Sequence, residues 1–105
     1  MMKTIHKYKL PTELGKHYIN IPKNSSILKI GWQRNRDVFN ETNLCLWALV
    51  DNKYESSEGT EFFITTTGKE LGMAFNTRYT YVDSVMNNDG QYILHIFIRK
   101  ESNDY

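Results

Sequence analysis

Asn43-Leu44-Cys45-Leu46-Trp47-Ala48-Leu49-Val50-Asp51 decides how this chain reads. Seven apolar residues run without interruption between a polar residue and an acid, the pattern of a strand covered on both faces. A chain of 105 residues built around one such strand is expected to be a single domain, 1–105, with one core and one modest pocket.

Working outward, six more strands follow from β-branched and aromatic enrichment between turn signals. Residues 4–10 stop at Pro11, and residues 16–21 start after Gly15 and stop at Pro22, since proline cannot donate to a ladder. Residues 27–33 put Leu28, Ile30 and Trp32 on one face and Ile27, Lys29 and Gly31 on the other. Residues 34–42, rich in Asn and Arg, read as a loop, as does the acidic, serine-containing stretch 51–59. Residues 61–67 carry two phenylalanines and three threonines and end at Thr67-Gly68; residues 69–76 read as a short helix or a loose connection. Residues 79–86 and 91–99 flank Asn87-Asn88-Asp89-Gly90, a strong hairpin signal because these residues tolerate positive φ. Residues 101–105 are expected to fray. The expected fold is mainly β: a single-domain antiparallel β-sandwich or partly open barrel of about seven strands, with at most one short helix.

Thirteen basic and 12 acidic residues leave the net charge near zero, which argues against an extended nucleic-acid partner. Basic residues gather locally at Lys23, Lys29, Arg34 and Arg36; they read either as a solvated edge or as a small anion site. The one cysteine, Cys45, has no partner for an internal disulfide and fits a structural thiol in a reducing compartment. The first residues lack the pattern of a signal peptide, and the longest apolar run is far short of the roughly 20 residues of a membrane-spanning helix. A soluble, cytoplasmic protein is the expectation.

Motifs for catalysis are sparse. His6, His17 and His95 form no HExxH pattern, and the residues two beyond them are Tyr8, Ile19 and Phe97, not the Ser or Thr of a two-histidine phosphodiesterase. No metal site and no cofactor is expected. Cys45, set among leucines, reads as a small hydrophobe and not as a nucleophile. Thr65-Thr66-Thr67-Gly68-Lys69 lacks the glycine spacing of a phosphate loop; it is a strand and turn whose hydroxyls, glycine N–H and lysine could hold one phosphate. His95 shares a face with Ile93, Phe97 and Arg99 and is either a core histidine or a ligand contact.

Aromatic residues make up 13% of the chain. Phe62, Phe97 and Trp47 are expected in the core. Tyr79 and Tyr81 alternate along a strand, and Trp32 adjoins Gln33 and Arg34 where its strand enters the polar loop. Rings beside amide, hydroxyl and guanidinium groups are how a protein holds a base and its phosphates. The candidate ligand-binding residues are Trp32, Gln33, Arg34, Thr67, Lys69, Tyr81, His95 and Arg99; the plainer alternative places them in core and edge.

Residues 3–10, 19–33, 44–51, 63–68, 81–85 and 94–97 together resemble a small β-rich domain family of unknown function from phage and bacterial genomes, with the block 44–51 its most specific part. In that pattern a Gln precedes the long loop (Gln33), Thr-Gly ends the fifth strand (Thr67-Gly68), and His-x-Phe lies in the last (His95, Phe97). Ile96 stands where Val is more usual, and the loop 34–42 is expanded. The resemblance implies a phage-type cytosolic accessory protein. By analogy of context it suggests a sponge that sequesters a nucleotide-derived immune signal, such as a cyclic ADP-ribose relative, and so inhibits host defence. Trp32 or Tyr81 would then stack a base, Arg34, Arg99 or Lys69 would pair with phosphate, and Gln33, Thr67 and His95 would orient it, in a pocket expected at the interface of a homo-oligomer. Two alternatives stand beside it: a module that blocks a host protein through a strand edge or aromatic patch, and an enzyme using His95 as acid or base.

Overall fold

The computed structural model describes residues 3–22, 24–51, 59–72, 75, 78–87 and 89–99. Seven strands run β1 (Lys3–Lys9), β2 (Gly15–Ile19), β3 (Ser26–Arg34), β4 (Thr42–Asp51), β5 (Thr60–Thr66), β6 (Tyr79–Met86) and β7 (Ile93–Arg99). Each lies within two residues of its expected bounds. Strands β1, β4 and β3 form one antiparallel sheet in that order; β2, β5, β7 and β6 form a second. The fold is therefore mainly β, the strand set of a β-sandwich, and neither sheet closes into a barrel. Among the described residues there is no helix; of the expected short helix, residues 69–72 and 75 are irregular. The rest of that stretch, Lys23, Asn88, most of the loop 51–59 and the tail 101–105 lie outside the described residues. Each sheet, with its connections, is a compact unit.

In the first unit the apolar run is the central strand, as its composition requires. Period-two alternation sends Leu44, Leu46, Ala48 and Val50 to one face, where each is at most 1% exposed. Ile30 of β3 pairs with Leu46 and is buried beside it. Leu10, just past β1, is buried as well and donates its N–H to the Leu44 carbonyl at 2.8 Å. The second face is not sealed, contrary to expectation. Trp47 and Leu49 are only half-buried there, because the register sets Lys7 and Lys29 on either side of Trp47, and lysines leave such a face partly uncovered. Cys45, between Lys9 and Gly31 in the next row, stays buried.

The facing expected for β3 also fails in part. A bulge between Ile27 and Lys29 shifts the register, so Ile27 and Ile30 oppose Ala48 and Leu46 while Leu28 is half exposed. The loop from β3 to β4 is internally tied. Asn35 donates its N–H to the Glu41 carbonyl at 2.7 Å, the Asp37 N–H goes to Asn35 Oδ1 at 2.9 Å, and Asn40 takes a φ of 64°.

In the second unit Phe62, Ile64, Leu94 and Ile96 make the buried face, none more than 2% exposed. The other face is aromatic: Phe75 stacks on Tyr79 at 5.2 Å between centroids and meets Phe97 edge-on at 5.0 Å. Phe97 is thus half-buried in this cluster and not part of the sealed core. The β6–β7 turn fulfils its hairpin signal, with Gly90 N–H bonded to the Asn87 carbonyl at 2.9 Å. The Asn87 carboxamide oxygen also accepts the N–H groups of Gln91 and Tyr92, at 2.7 and 3.0 Å. Those two residues are thereby held in the turn, and β7 starts two positions later than composition suggests.

Candidate functional site

The open face of the first sheet carries two adjoining depressions. One, of about 230 Å³, is lined by Lys7, Lys9, Gln33, Arg34, Asn35, Arg36, Asp37, Asn43 and Cys45. Four of these side chains are cationic and one is a carboxylate. The other, of about 500 Å³ and wider at its mouth, is lined by Ile5, Leu28, Lys29, Gly31, Trp32 and Trp47. Strand register explains their adjacency. Lys7, Trp47 and Lys29 form one cross-strand row, and Lys9, Cys45 and Gly31 occupy the next equivalent row on the same face. Gly31 keeps the floor of the groove low: a Cβ there would sit 3.6 Å from Lys29 Cε and 4.0 Å from Trp47 Cζ3.

Polar contacts fix what the cationic pocket offers. Lys7 Nζ donates to Gln33 Oε1, leaving the Gln33 amide nitrogen as a donor. Asn35 Nδ2 donates to Glu41 Oε2, and Asn43 Nδ2 reaches the same oxygen at 3.4 Å. These two bonds, together with the charge of Lys9, hold the Glu41 carboxyl below its ordinary value. Cys45 is buried and its thiol points to the Asn43 carbonyl at 3.6 Å, as a structural thiol would.

Overall charge conceals this concentration. The unit containing the first sheet holds eight basic and five acidic residues, the other five and seven. A balance near zero for the whole chain thus divides into a basic unit and an acidic one.

Of the eight candidate residues, Trp32 lines the groove and Gln33 and Arg34 line the pocket. By register Gln33, opposite Asn43, shares the open face, whereas Trp32 and Arg34, opposite Leu44 and Thr42, alternate to the other. Thr67, Tyr81 and His95 come together on the second sheet. There His95 Nε2 lies 2.7 Å from Thr67 Oγ1, and Nδ1 lies 2.8 Å from the Tyr81 hydroxyl. Both imidazole nitrogens are therefore engaged by protein hydroxyls, as a histidine hydrogen-bonded to its neighbours would be, and the ring is half-buried, not sealed in the core. Lys69 is exposed beyond a turn that its N–H closes on the Thr66 carbonyl at 3.3 Å, so the strand-and-turn reading of that segment holds. Arg99 pairs with Glu61 at 3.4 Å. Glu61 also accepts from the Tyr79 hydroxyl, and from that of Tyr18 at 3.5 Å. The guanidinium expected to meet a phosphate is matched by a carboxylate of its own sheet.

Lys7, Lys9, Asn43 and Trp47 are site residues that sequence reasoning did not assign. Their signal was present: Lys7 and Lys9 alternate along a strand, and Asn43, Cys45 and Trp47 do the same, so each set shares a face. What joins the two sets is the β1–β4 register, across some forty residues of chain. Among the described residues no group of three or more His, Cys, Asp or Glu could hold a metal ion. Among them, too, no helix is long and apolar enough to cross a membrane.

Fold and face together define an all-β domain with a cationic pocket beside an indole-lined groove. Residues 1–105 match the profile of a family described as Domain of unknown function (DUF7352), and the chain belongs to that family. No curated protein and no solved structure matches the chain.

Proposed function

We propose that the protein is a non-enzymatic binder of a small nucleotide-like anion, and that it acts by sequestering a nucleotide-derived signal and not by converting it. The carrying observation is the pocket of the first sheet lined by Lys7, Lys9, Arg34 and Arg36, next to the groove lined by Trp32 and Trp47. Guanidinium and ammonium groups meet phosphate with charge-assisted bonds, and an indole offers its face to a base. This reading centres the ligand on β1, β3 and β4, whose residues line both depressions.

Isothermal titration against nucleoside mono- and diphosphates, dinucleotides and cyclic ADP-ribose relatives tests the reading. Binding by at least one of them, weakened about tenfold or more in Arg34→Ala and Trp47→Ala, is the expected result, and the ligand should be recovered unchanged from denatured protein. An absence of heat with the whole panel sinks it. Phe39, 91% exposed on the tied β3–β4 loop beside Val38, favours a second reading in which the same region grips a host protein. Stoichiometric co-purification of a host protein, abolished by Phe39→Asp and insensitive to nucleotide, would mark that outcome.

A further inference from the structure

The amides lining the cationic pocket are not equivalent. A carboxylate can only accept hydrogen bonds, so whatever faces Glu41 from Asn35 and Asn43 must be their NH₂ groups. Both Nδ2 atoms do point there. Asn35 has its oxygen engaged as well, by the Asp37 N–H at 2.9 Å. Asn43 is different: one of its two N–H groups is held by Glu41, and its carbonyl oxygen, unlike the one Asn35 gives to Asp37, is left for the pocket along with the second N–H. Gln33 is held the opposite way round, its oxygen on Lys7 and its nitrogen remaining.

An acceptor set among four cations does not serve a phosphate, whose oxygens it would repel. It serves a donor carried close to the phosphate, and in a nucleotide that donor is a sugar hydroxyl. We infer that Asn43, oriented by Glu41, makes the pocket select a phosphorylated ribose over its deoxy counterpart. Resting on the proposed nucleotide site, this assigns Asn43 as a specificity-determining contact and Glu41 as a positioning residue that acts through it. A site built to hydrogen-bond a hydroxyl discriminates against the ligand that lacks it; in an open pocket one neutral bond supports a ratio of about 3- to 10-fold.

The test titrates wild-type protein with the four ribonucleoside 5′-diphosphates, their 2′- and 3′-deoxy counterparts, and pyrophosphate. The expected result is tighter binding of a ribonucleotide than of at least one of its deoxy forms. In Asn43→Leu the ribonucleotide should fall to the deoxy level, with pyrophosphate affinity unchanged. Glu41→Gln, whose new amide lets Asn43 turn over, should shrink the ratio and keep pyrophosphate binding. A general structural role would instead move pyrophosphate affinity and thermal melting together. Should Asn43→Leu not fold, the wild-type ratio and Glu41→Gln decide. Equal binding of ribo and deoxy forms by the wild-type protein overturns this inference while leaving the nucleotide site standing; failure of every diphosphate to bind overturns both.

Discussion

Gly31 lets stability and binding be pulled apart with one side chain. Its φ is not among the positive values found at Gly15, Gly68, Gly72 and Gly90, so an L-residue fits the backbone. A Cβ would meet Lys29 Cε at 3.6 Å and Trp47 Cζ3 at 4.0 Å, both ordinary contacts. Glycine within a strand costs about 0.5–1 kcal/mol relative to alanine, through the freedom it loses on folding. Gly31→Ala should therefore stabilise the protein by about that amount, a rise in Tm of roughly 2–8 °C for a domain of this size. Gly31→Val keeps the backbone gain and adds methyl groups that rise into the groove beside Trp47 and Lys29. If a base lies there, Gly31→Val should lose much of the stacking term, about 1–3 kcal/mol or some 5- to 150-fold in affinity. Pyrophosphate, held in the neighbouring pocket, should bind as before. Circular dichroism melts read the first quantity and titration calorimetry the second. Two results would refute the reasoning: a lower Tm for Gly31→Ala, which would mean the contacts around residue 31 are tighter than described, or unchanged nucleotide affinity for Gly31→Val, which would take the base out of the groove.

Three further outcomes follow from the packing and the ionisable groups. Leu46, fully buried in the central strand, should cost about 2–5 kcal/mol as Leu46→Ala, and a urea titration showing under 1 kcal/mol would place the core of that unit elsewhere. Tyr79→Phe removes a bond from a buried hydroxyl to the Glu61 carboxylate and should cost about 1.5–3 kcal/mol. Burial and that carboxylate raise the Tyr79 pKa, so its contribution is complete below the unfolded value of 10 and declines as the pH climbs beyond it. Alkaline melts should accordingly show a loss above pH 10 that Tyr79→Phe lacks. Glu41 has the opposite sign: its pKa is lowered from an ordinary 4.5, so its grip on Asn35 and Asn43 is complete above that pH and lost as the pH falls below it. The ribo-over-deoxy preference should therefore survive at pH 5 and vanish only in stronger acid, and its disappearance near neutrality would detach Glu41 from the effect.

Composition carried the strand map because each strand is bounded by a residue with a local reason to end it. Pro11, Gly15, Thr67-Gly68 and the Asn87–Gly90 turn act within a few positions of themselves, so no knowledge of the partner strand is needed. The places where the reading slipped are those governed by something distant. Trp47 looks like a core residue in a run of seven apolar neighbours, yet its exposure is set by Lys7 and Lys29, which reach it only through the β1–β4–β3 register. Leu28 looks like a partner of Ile30 until a bulge opposite the Trp47–Ala48 step turns it out. Arg99 looks like a cation available for a ligand, but Glu61 lies on a strand that pairs with its own. The site follows the same logic. Arg34 and Arg36 could be noticed together because they are neighbours in sequence, and they raised an anion site as a possibility. Lys7 and Lys9 complete it from a strand some twenty-five residues away, and Asn43 enters on the strand between. Alternation along a single strand is legible; which alternating sets are brought side by side is the information that strand order adds. For this chain that added information turns scattered lysines, an asparagine and Trp47 into one face with a charged end and an aromatic end.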